Sequence, residues 1–232
     1  MTTPAQDPVK TQLLDAALMH VAFDGWSEET FKAAIADSGV EPHVARTACP
    51  RGAVDLAIAF HKAGDAAMVE AIKAADLSDM KFRDKVAFAV RARIEAIADK
   101  EAVRRGTTLF ALPHLAADGA KLIWGTCDAI WTTLGDTSED VNWYTKRATL
   151  SGVYSSTVLY WLGDDSLDNQ ATWEFIDRRI ENVMQIEKVK AKVNGNPVLS
   201  KLMAGPNMIL SKIKAPSAMR APDDLPGRWT RG

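Results

Sequence analysis

Residues 138–161 read SEDVNWYTKRATLSGVYSSTVLYW, and this stretch decides the class of fold. At the roughly 100° per residue of an α-helix, its largest apolar side chains share one face: Trp143, Leu150, Tyr154 and Trp161. The opposite face carries amides, hydroxyls and Lys146. Thr137 and Asp140 in front of it have the character of a capping box. The pattern predicts an amphipathic helix over 138–162, buried along one side.

The rest of the chain shows the same helical periodicity and no strand-like alternation. Gly, Pro and N-capping residues such as Ser27 divide it into about ten predicted helices. They cover 8–24, 27–37, 42–48, 53–75, 79–100, 119–134, 138–162, 169–193 and 197–213, with shorter pieces around 102–118 interrupted at Pro113. We therefore predict an all-α helical bundle.

The composition excludes a disordered chain and a membrane-spanning one. Of 232 residues, 47% are apolar and 25% charged, which are ordinary globular values. No apolar run approaches the ~20 residues of a membrane span. Cys49 and Cys127 lack metal-ligand spacing, and the start, MTTPAQDPVK, has neither a signal-peptide nor a transit-peptide pattern. These features predict a reduced, cytosolic protein.

The four histidines and the known catalytic motifs give no support to an enzyme. His20 and His61 are interpreted as edge residues of amphipathic helices, and His114 follows Pro113 at a helix break. No zinc-protease, nucleophile-elbow, phosphate-loop or dinucleotide fingerprint occurs. We predict a non-enzyme with no cofactor and no metal site.

Residues 1–50 are predicted to form a helix-turn-helix-like module. The sequence over 24–61, DGWSEETFKAAIADSGVEPHVARTACPRGAVDLAIAFH, resembles the start of Tet-repressor-type regulators. Its second helix, EPHVARTAC, has only one base, and residues 1–60 carry a net charge of −4, whereas DNA readers need a positive field. We expect a module that does not read DNA, and keep a ligand-responsive transcriptional regulator as the alternative function.

The segment NPVLSKLMAGPNMILSKIK, which covers 196–214, predicts an amphipathic helix over 197–213. Residues 188–232 carry a net charge of +7, which suits an anionic membrane surface. Docking on the body is the other interpretation, and Pro206 should kink the helix. The predicted membrane contacts are Leu199, Leu202, Met203, Ile209, Leu210, Ile213, Lys201 and Lys212. Residues 214–232 are predicted to be a flexible tail.

A patch of small side chains interrupts the helix of 138–162. It consists of Ala148, Ser151, Gly152 and Ser155. Such a patch permits close packing of a neighbouring helix or leaves room for a ligand, and the sequence leaves both interpretations open.

Three blocks resemble the ninth Coq protein family, the lipid-binding accessory proteins of ubiquinone biosynthesis. They are DGWSEETF (24–31), LFALPHL (109–115) and GDTSEDVNWYTKRATLSGVYSSTVLYWLGDDSLDNQATWEFIDRRIENV (135–183). The resemblance implies a Tet-repressor-like fold that has lost DNA binding, a homodimer, and an apolar cavity for an isoprenoid or a phospholipid. It also implies docking onto a di-iron hydroxylase of the quinone ring.

Carried over to this sequence, the resemblance places Asp140, Trp143 and Tyr144 in the partner-binding patch, bordered by Ile130 and Trp131. Position alone suggests Phe110, Leu112, Leu150, Tyr154 and Val158 as lipid-lining residues of a body that spans 51–193. Because no transit peptide is seen, we expect a bacterial cytoplasmic protein, peripheral at the inner membrane.

Overall fold

The computed structural model describes residues 7–97, 99–194 and 214–216, with side chains omitted for 186–194. Within this part of the chain there are nine α-helices and one 3-10 turn, Leu167–Asn169, and no strand. The helices are α1 (Pro8–Asp24), α2 (Glu28–Ser38), α3 (Pro42–Ala48), α4 (Ala53–Ala74), α5 (Phe82–Glu95), α6 (Lys100–Phe110), α7 (Ala116–Thr133), α8 (Val141–Leu162) and α9 (Gln170–Asn194). The prediction of an all-α fold is confirmed.

Local capping chemistry sets several of these boundaries. The Ser27 hydroxyl accepts a hydrogen bond from the Thr30 amide, as predicted, and Gly39 ends α2 at a φ of 68°. The predicted capping box at Thr137 is wrong. Asp140 is the cap of α8 and accepts from the Asn142 amide, because Asp136 forms a separate turn with the Ser138 amide.

Two hydrophobic clusters share α4. The first gathers α1, α2, α3, the start of α4 and Ala102, around side chains such as Leu13 and Phe31. The second joins the end of α4 to α5, α7, α8 and α9. The Trp26 indole donates to the Ala102 carbonyl at 3.1 Å, and Arg105 donates to the Ala22 carbonyl at 2.9 Å. The N-terminal helices are therefore tied directly to α6.

The predicted amphipathic helix of 197–213 lies outside the described residues. Of the tail predicted to be flexible, 214–216 is described and is packed on the body. Ala215 is fully buried, and its amide donates to the Glu139 carbonyl at 2.9 Å. None of the described helices has the length and apolar character needed to cross a bilayer.

Candidate functional site

A cavity of about 410 Å³ opens between α4, α5, α6, α7 and α8. This volume lies within the range of roughly 300–1,000 Å³ that small-molecule sites occupy. Most of its wall is apolar: Trp26, Ala57, Phe60, Ile97, Ala102, Val103, Phe110, Leu122, Ile123, Val158 and Leu159. Such a wall favours an apolar ligand.

The mouth of the cavity is lined by small and exposed side chains. Leu159 on α8 is 60% exposed, and Ala111, Ala116 and Ala120 are also exposed. The alanines leave an opening between the end of α6, the start of α7 and α8. The inner end is formed by buried residues, including Trp26 and Tyr154.

One part of the wall is polar and buried. The Arg93 side chain, 2% exposed, donates from Nε to Asp65 Oδ1 at 2.6 Å and from Nη2 to the His61 carbonyl at 2.9 Å. The Thr126 hydroxyl donates to Asp65 Oδ1 at 2.8 Å and lies 2.8 Å from His61 Nε2. We call Arg93, Asp65, His61 and Thr126 the inner polar cluster; Arg93 and His61 line the cavity.

Burial shifts the pKa values of two groups here, His61 and Tyr154. It lowers the pKa of His61 to about 4, so the imidazole is neutral near pH 7. Burial also raises the pKa of the Tyr154 phenol, beside the cluster, to about 12. The Arg93 guanidinium and the Asp65 carboxylate compensate each other, so the cluster as a whole is close to neutral.

The predicted lipid-lining residues divide between two places and the surface. Phe110, Tyr154 and Val158 line the cavity. Leu150 instead lines a second pocket of about 240 Å³ between α5, α8 and α9. Leu112, in the turn after α6, is 43% exposed and lines neither pocket. Spacing along a helix does not tell which of two neighbouring spaces a side chain enters.

The patch of small residues on α8 has no single role, and the Ser151 hydroxyl contacts α7, 3.4 Å from Cys127 Sγ. Ala148 and Gly152 are exposed, and no atom lies within 4 Å of where a Gly152 Cβ would be. Ser155 lines the cavity. Of the two open interpretations, contact with a neighbouring helix holds at Ser151, and space beside the helix holds at Ser155.

Three aromatic rings at the start of α8 and on α7 form what we call the aromatic surface: Trp124, Trp143 and Tyr144. Trp143 stacks edge-on against Tyr144 with 4.8 Å between ring centroids, and its centroid lies 5.9 Å from that of Trp124. The Arg147 guanidinium lies 4.0 Å from the Trp143 centroid. All three rings are partly exposed.

Arg147 is buried beneath this surface and held by carboxylates. It donates to Asp128 Oδ1 at 2.6 Å and to Asp136 Oδ2 at 3.0 Å. Burial alone would raise the pKa of Asp136, but hydrogen bonds from Lys146, Ser138 and Arg147 outweigh it and hold that pKa well below its usual range. Lys146 and Arg147, the two bases of the NWYTKR stretch, therefore both bind Asp136 in the turn between α7 and α8.

The predicted partner-binding residues are only partly brought together. Asp140, Trp143 and Tyr144 share the start of α8. Ile130 is fully buried in the core and Trp131 is 8% exposed, lining the second pocket, so neither offers a surface to a partner. The expectation that they border the patch fails because this face of α7 packs inward.

The C-terminal segment 214–216 lies against the aromatic surface. The Tyr144 hydroxyl donates to the Lys214 carbonyl at 3.3 Å, and Ala215 is buried beside Glu139. The chain that follows the predicted amphipathic helix thus returns to the edge of the predicted partner patch.

Sequence reasoning missed the inner polar cluster. One signal was present, because His61 and Asp65 are four residues apart on α4 and so share a helix face. No sequence signal marks Arg93, which stands between the buried Ala92 and Ile94. Among the described residues, no group of His, Cys, Asp and Glu is arranged to hold a metal ion.

The helix in the position of a DNA reader has its only base engaged. Arg46 on α3 pairs with Glu28 of α2 and lies over the Phe31 ring. That this module does not read DNA stays a prediction.

Comparison with known proteins gives consistent matches. Residues 116–187 match the family model described as COQ9. The chain is 30% identical over 194 residues to the ubiquinone biosynthesis protein COQ9, mitochondrial, of Drosophila melanogaster, covering 82% of this chain and 59% of that protein. It is 28% identical to the probable ubiquinone biosynthesis protein coq9, mitochondrial, of Dictyostelium discoideum, covering 89% of this chain and 68% of that one. The chain thus spans less than two thirds of the Drosophila protein's length.

A solved structure shares the fold. The TetR transcriptional regulator from Nitrosomonas europaea superposes with a TM-score of 0.63 at 18% identity, covering 75% of this chain and 97% of that one. The predicted Tet-repressor-like fold is confirmed, and identity at this level speaks for the fold alone.

The predicted location at a bacterial inner membrane is wrong. The matching relatives from fly, Dictyostelium, Xenopus and rat are all named as mitochondrial proteins of eukaryotes. The expectation was based only on the few residues before α1, and these are too few to assign a cellular compartment.

Proposed function

Because this chain carries the COQ9 domain over residues 116–187 and belongs to the COQ9 family, we propose that it is a lipid-binding accessory protein of ubiquinone biosynthesis. It binds an isoprenoid or another amphiphilic lipid and brings a quinone precursor to a partner enzyme. The homology supports a role in this pathway. The chemistry then belongs to the partner.

The single observation that carries the proposal is the apolar cavity of about 410 Å³. Transfer of apolar surface from water into such a wall gains roughly 25 cal/mol per Å². A site of this size suits a drug-sized portion of a lipid, so a long isoprenoid tail would continue out through the mouth at Leu159.

The aromatic surface supports a docking role for the start of α8. Large aromatic side chains beside an arginine are the residue types that dominate binding energy at protein interfaces. We assign the partner, a hydroxylase of the quinone ring, to Trp143 and Tyr144, with Asp140 at the edge.

Contact with a membrane surface through 197–213 completes the proposal and rests on the sequence pattern. A homodimer, which the family resemblance implies, is tested by light scattering of the purified chain. No observation favours the alternative of a transcriptional regulator, since the one base of α3 is already paired.

The test is native mass spectrometry and solvent extraction of lipid from the full chain, purified without detergent. We expect a co-purifying lipid at close to one molecule per cavity. Ala120→Trp, which places an indole at the mouth, should reduce the bound lipid severalfold. Ala117→Trp is the matched control, because Ala117 is an equally exposed alanine of α7 that does not line the cavity.

A chain that carries no lipid, takes up none from vesicles and shows no difference between the two tryptophan variants would refute the proposal. Tight, salt-sensitive binding to a palindromic DNA duplex would point instead to the regulator.

A further inference from the structure

The second pocket, between α5, α8 and α9, has an apolar floor and an exposed apolar rim. Two large side chains of the rim face solvent: Phe82 is 51% exposed and Met184 is 40% exposed. The Phe82 ring stacks on Trp131 with 5.5 Å between ring centroids. Exposed apolar side chains that adjoin a pocket are typical of a binding surface. The floor consists of the buried residues Val86, Trp131, Leu150, Val153 and Ile180.

Both cations that line the second pocket are already engaged by acids. Arg83 donates to Glu181 Oε2 at 2.7 Å, and Lys146 donates to Asp136 Oδ1 at 2.8 Å. An anionic occupant would lie close to these carboxylates and be repelled by them. The pocket therefore favours an occupant that brings apolar side chains and no negative charge.

The last described helix ends beside this pocket. The Tyr160 ring near the end of α8 stacks on Phe175 near the start of α9, with 4.4 Å between ring centroids, so the two helices run antiparallel. The end of α9, at Asn194, is therefore near the level at which α8 begins. The second pocket is lined by the first half of α8 and the second half of α9, and so opens at this same end of the bundle.

The chain also returns at this end of the bundle. The Tyr144 hydroxyl donates to the Lys214 carbonyl at 3.3 Å, and the Ala215 amide donates to the Glu139 carbonyl at 2.9 Å. Residues 195–213 therefore begin and end beside the second pocket. Their sequence contains no acid, and its apolar side chains share one helical face: Leu199, Leu202, Met203, Ile209, Leu210 and Ile213.

We propose that residues 197–213 dock in the second pocket when no membrane is present, with their apolar face against Phe82, Met184 and the pocket floor. This goes beyond the proposed function, because it gives the segment a site on the protein itself. It does not depend on a ligand in the cavity between α4, α5, α6, α7 and α8. The second pocket and a membrane compete for the same side chains, so docking weakens membrane binding.

Hydrogen exchange of the full chain without vesicles tests the docking. Burial of one leucine favours a docked state by about tenfold or more, so the amides of 198–213 should exchange at least about tenfold more slowly than those of an unstructured chain. Thr149→Trp places an indole in the second pocket and should reduce this protection severalfold. Ala148→Trp is the matched control, because Ala148 is the neighbouring exposed residue of α8 and does not line the pocket.

A second variant and a second measurement make the test independent of one substitution. Thr145→Trp, one turn earlier on α8, is also exposed and lines the pocket, so it replaces Thr149→Trp if that variant does not fold. Flotation with vesicles of phosphatidylcholine and phosphatidylglycerol measures the competition. Thr149→Trp should bind these vesicles severalfold more tightly than Ala148→Trp, which adds the same indole to the surface.

The outcomes distinguish docking from its alternatives. Amides of 198–213 that exchange as fast as an unstructured chain, or equal protection in Thr149→Trp and Ala148→Trp, would overturn docking in the second pocket. Protection that rises with protein concentration would indicate docking on a second copy and would overturn docking within one chain. If no variant binds vesicles, membrane contact by this segment is refuted, and the hydrogen exchange still decides the docking.

Discussion

The buried ion pairs under the aromatic surface give a sharp prediction about stability. Arg147 is 2% exposed and Asp136 is 3% exposed, whereas its second carboxylate, Asp128, is 45% exposed. Asp136 also accepts from Lys146 Nζ at 2.8 Å and from the Ser138 hydroxyl at 2.8 Å. The two aspartates thus bind the same arginine in very different surroundings.

Replacing the buried carboxylate should cost much more than replacing the exposed one. Breaking a buried ion pair typically costs about 3–5 kcal/mol, and Asp136→Asn should lower the free energy of unfolding by about 3 kcal/mol, since Arg147 keeps Asp128. Asp128→Asn should cost ~1 kcal/mol or less, because an exposed carboxylate is solvated in either state.

Urea denaturation, monitored by tryptophan fluorescence near pH 7, measures the free energy of unfolding of both variants. The pH dependence gives a second readout. The folded-state pKa of Asp136 is depressed, so its stabilisation is present above the unfolded value of 3.8 and is lost as the pH falls below it. The gap between wild type and Asp136→Asn should therefore shrink on acidification below about pH 4. Equal losses of unfolding free energy for the two variants, or a difference between wild type and Asp136→Asn that widens in acid, would contradict the reasoning. Either result would show that burial does not determine how much these ion pairs stabilise the fold.

Three further outcomes are expected. Trp143→Phe should weaken the capture of a quinone-ring hydroxylase in a pull-down, while its melting temperature stays close to that of the wild type. Leu167→Ala, at an exposed residue far along the chain, is the control and should change neither. Capture retained by Trp143→Phe would contradict the docking assignment. The pKa of His61 is depressed in the folded state, so on acidification the unfolded chain binds the proton first. The free energy of unfolding measured in urea should therefore fall as the pH drops from 6.5 to about 4. This dependence on pH should be weaker in His61→Gln. Burial raises the pKa of Cys127 to about 11, so its thiol should react with a disulfide reagent only on unfolding, and fast labelling of the native chain would contradict that burial.

The structure changes which substitution tests the docking surface. Because Trp143 is only partly exposed, Trp143→Lys is not a change confined to the surface. In the fold, an ammonium at that position would lie beside the buried Arg147 guanidinium, now 4.0 Å from the Trp143 ring centroid. Like charges at such a separation repel, so the variant would lose stability for a reason unrelated to docking.

Local signals explain which elements the sequence could predict. The ranges of α1 and α3 match because Pro8, Gly25 and Pro42 act on their neighbours alone. The predicted helix of 79–100 is shorter in the structure, Phe82–Glu95, because no strong cap marks either end. The periodicity of apolar residues predicts that a helix is present, whereas the position of a weakly capped helix end depends on packing.

The sequence could not place the buried arginines, for a physical reason. Periodicity assigns charged residues to the solvent face, but Arg93 and Arg147 are buried because carboxylates from α4, α7 and the α7–α8 turn reach them. Such pairings join residues 11, 19 or 28 positions apart, and nothing in a helical pattern specifies them. The same limit explains Ile130, whose face of α7 could not be chosen without the fold.

The cavity also depends on the N-terminal module for part of its wall. The body was predicted to hold the ligand within 51–193, yet Trp26 lies in the cavity wall and its indole is bonded to Ala102 of α6. Phe60, in tilted contact with Trp26 at 5.6 Å, extends that wall along α4. The helices that would present a recognition helix in a regulator therefore close one side of the cavity here. The wall of the cavity therefore depends on how the N-terminal helices pack, and this holds independently of any DNA contact by α3.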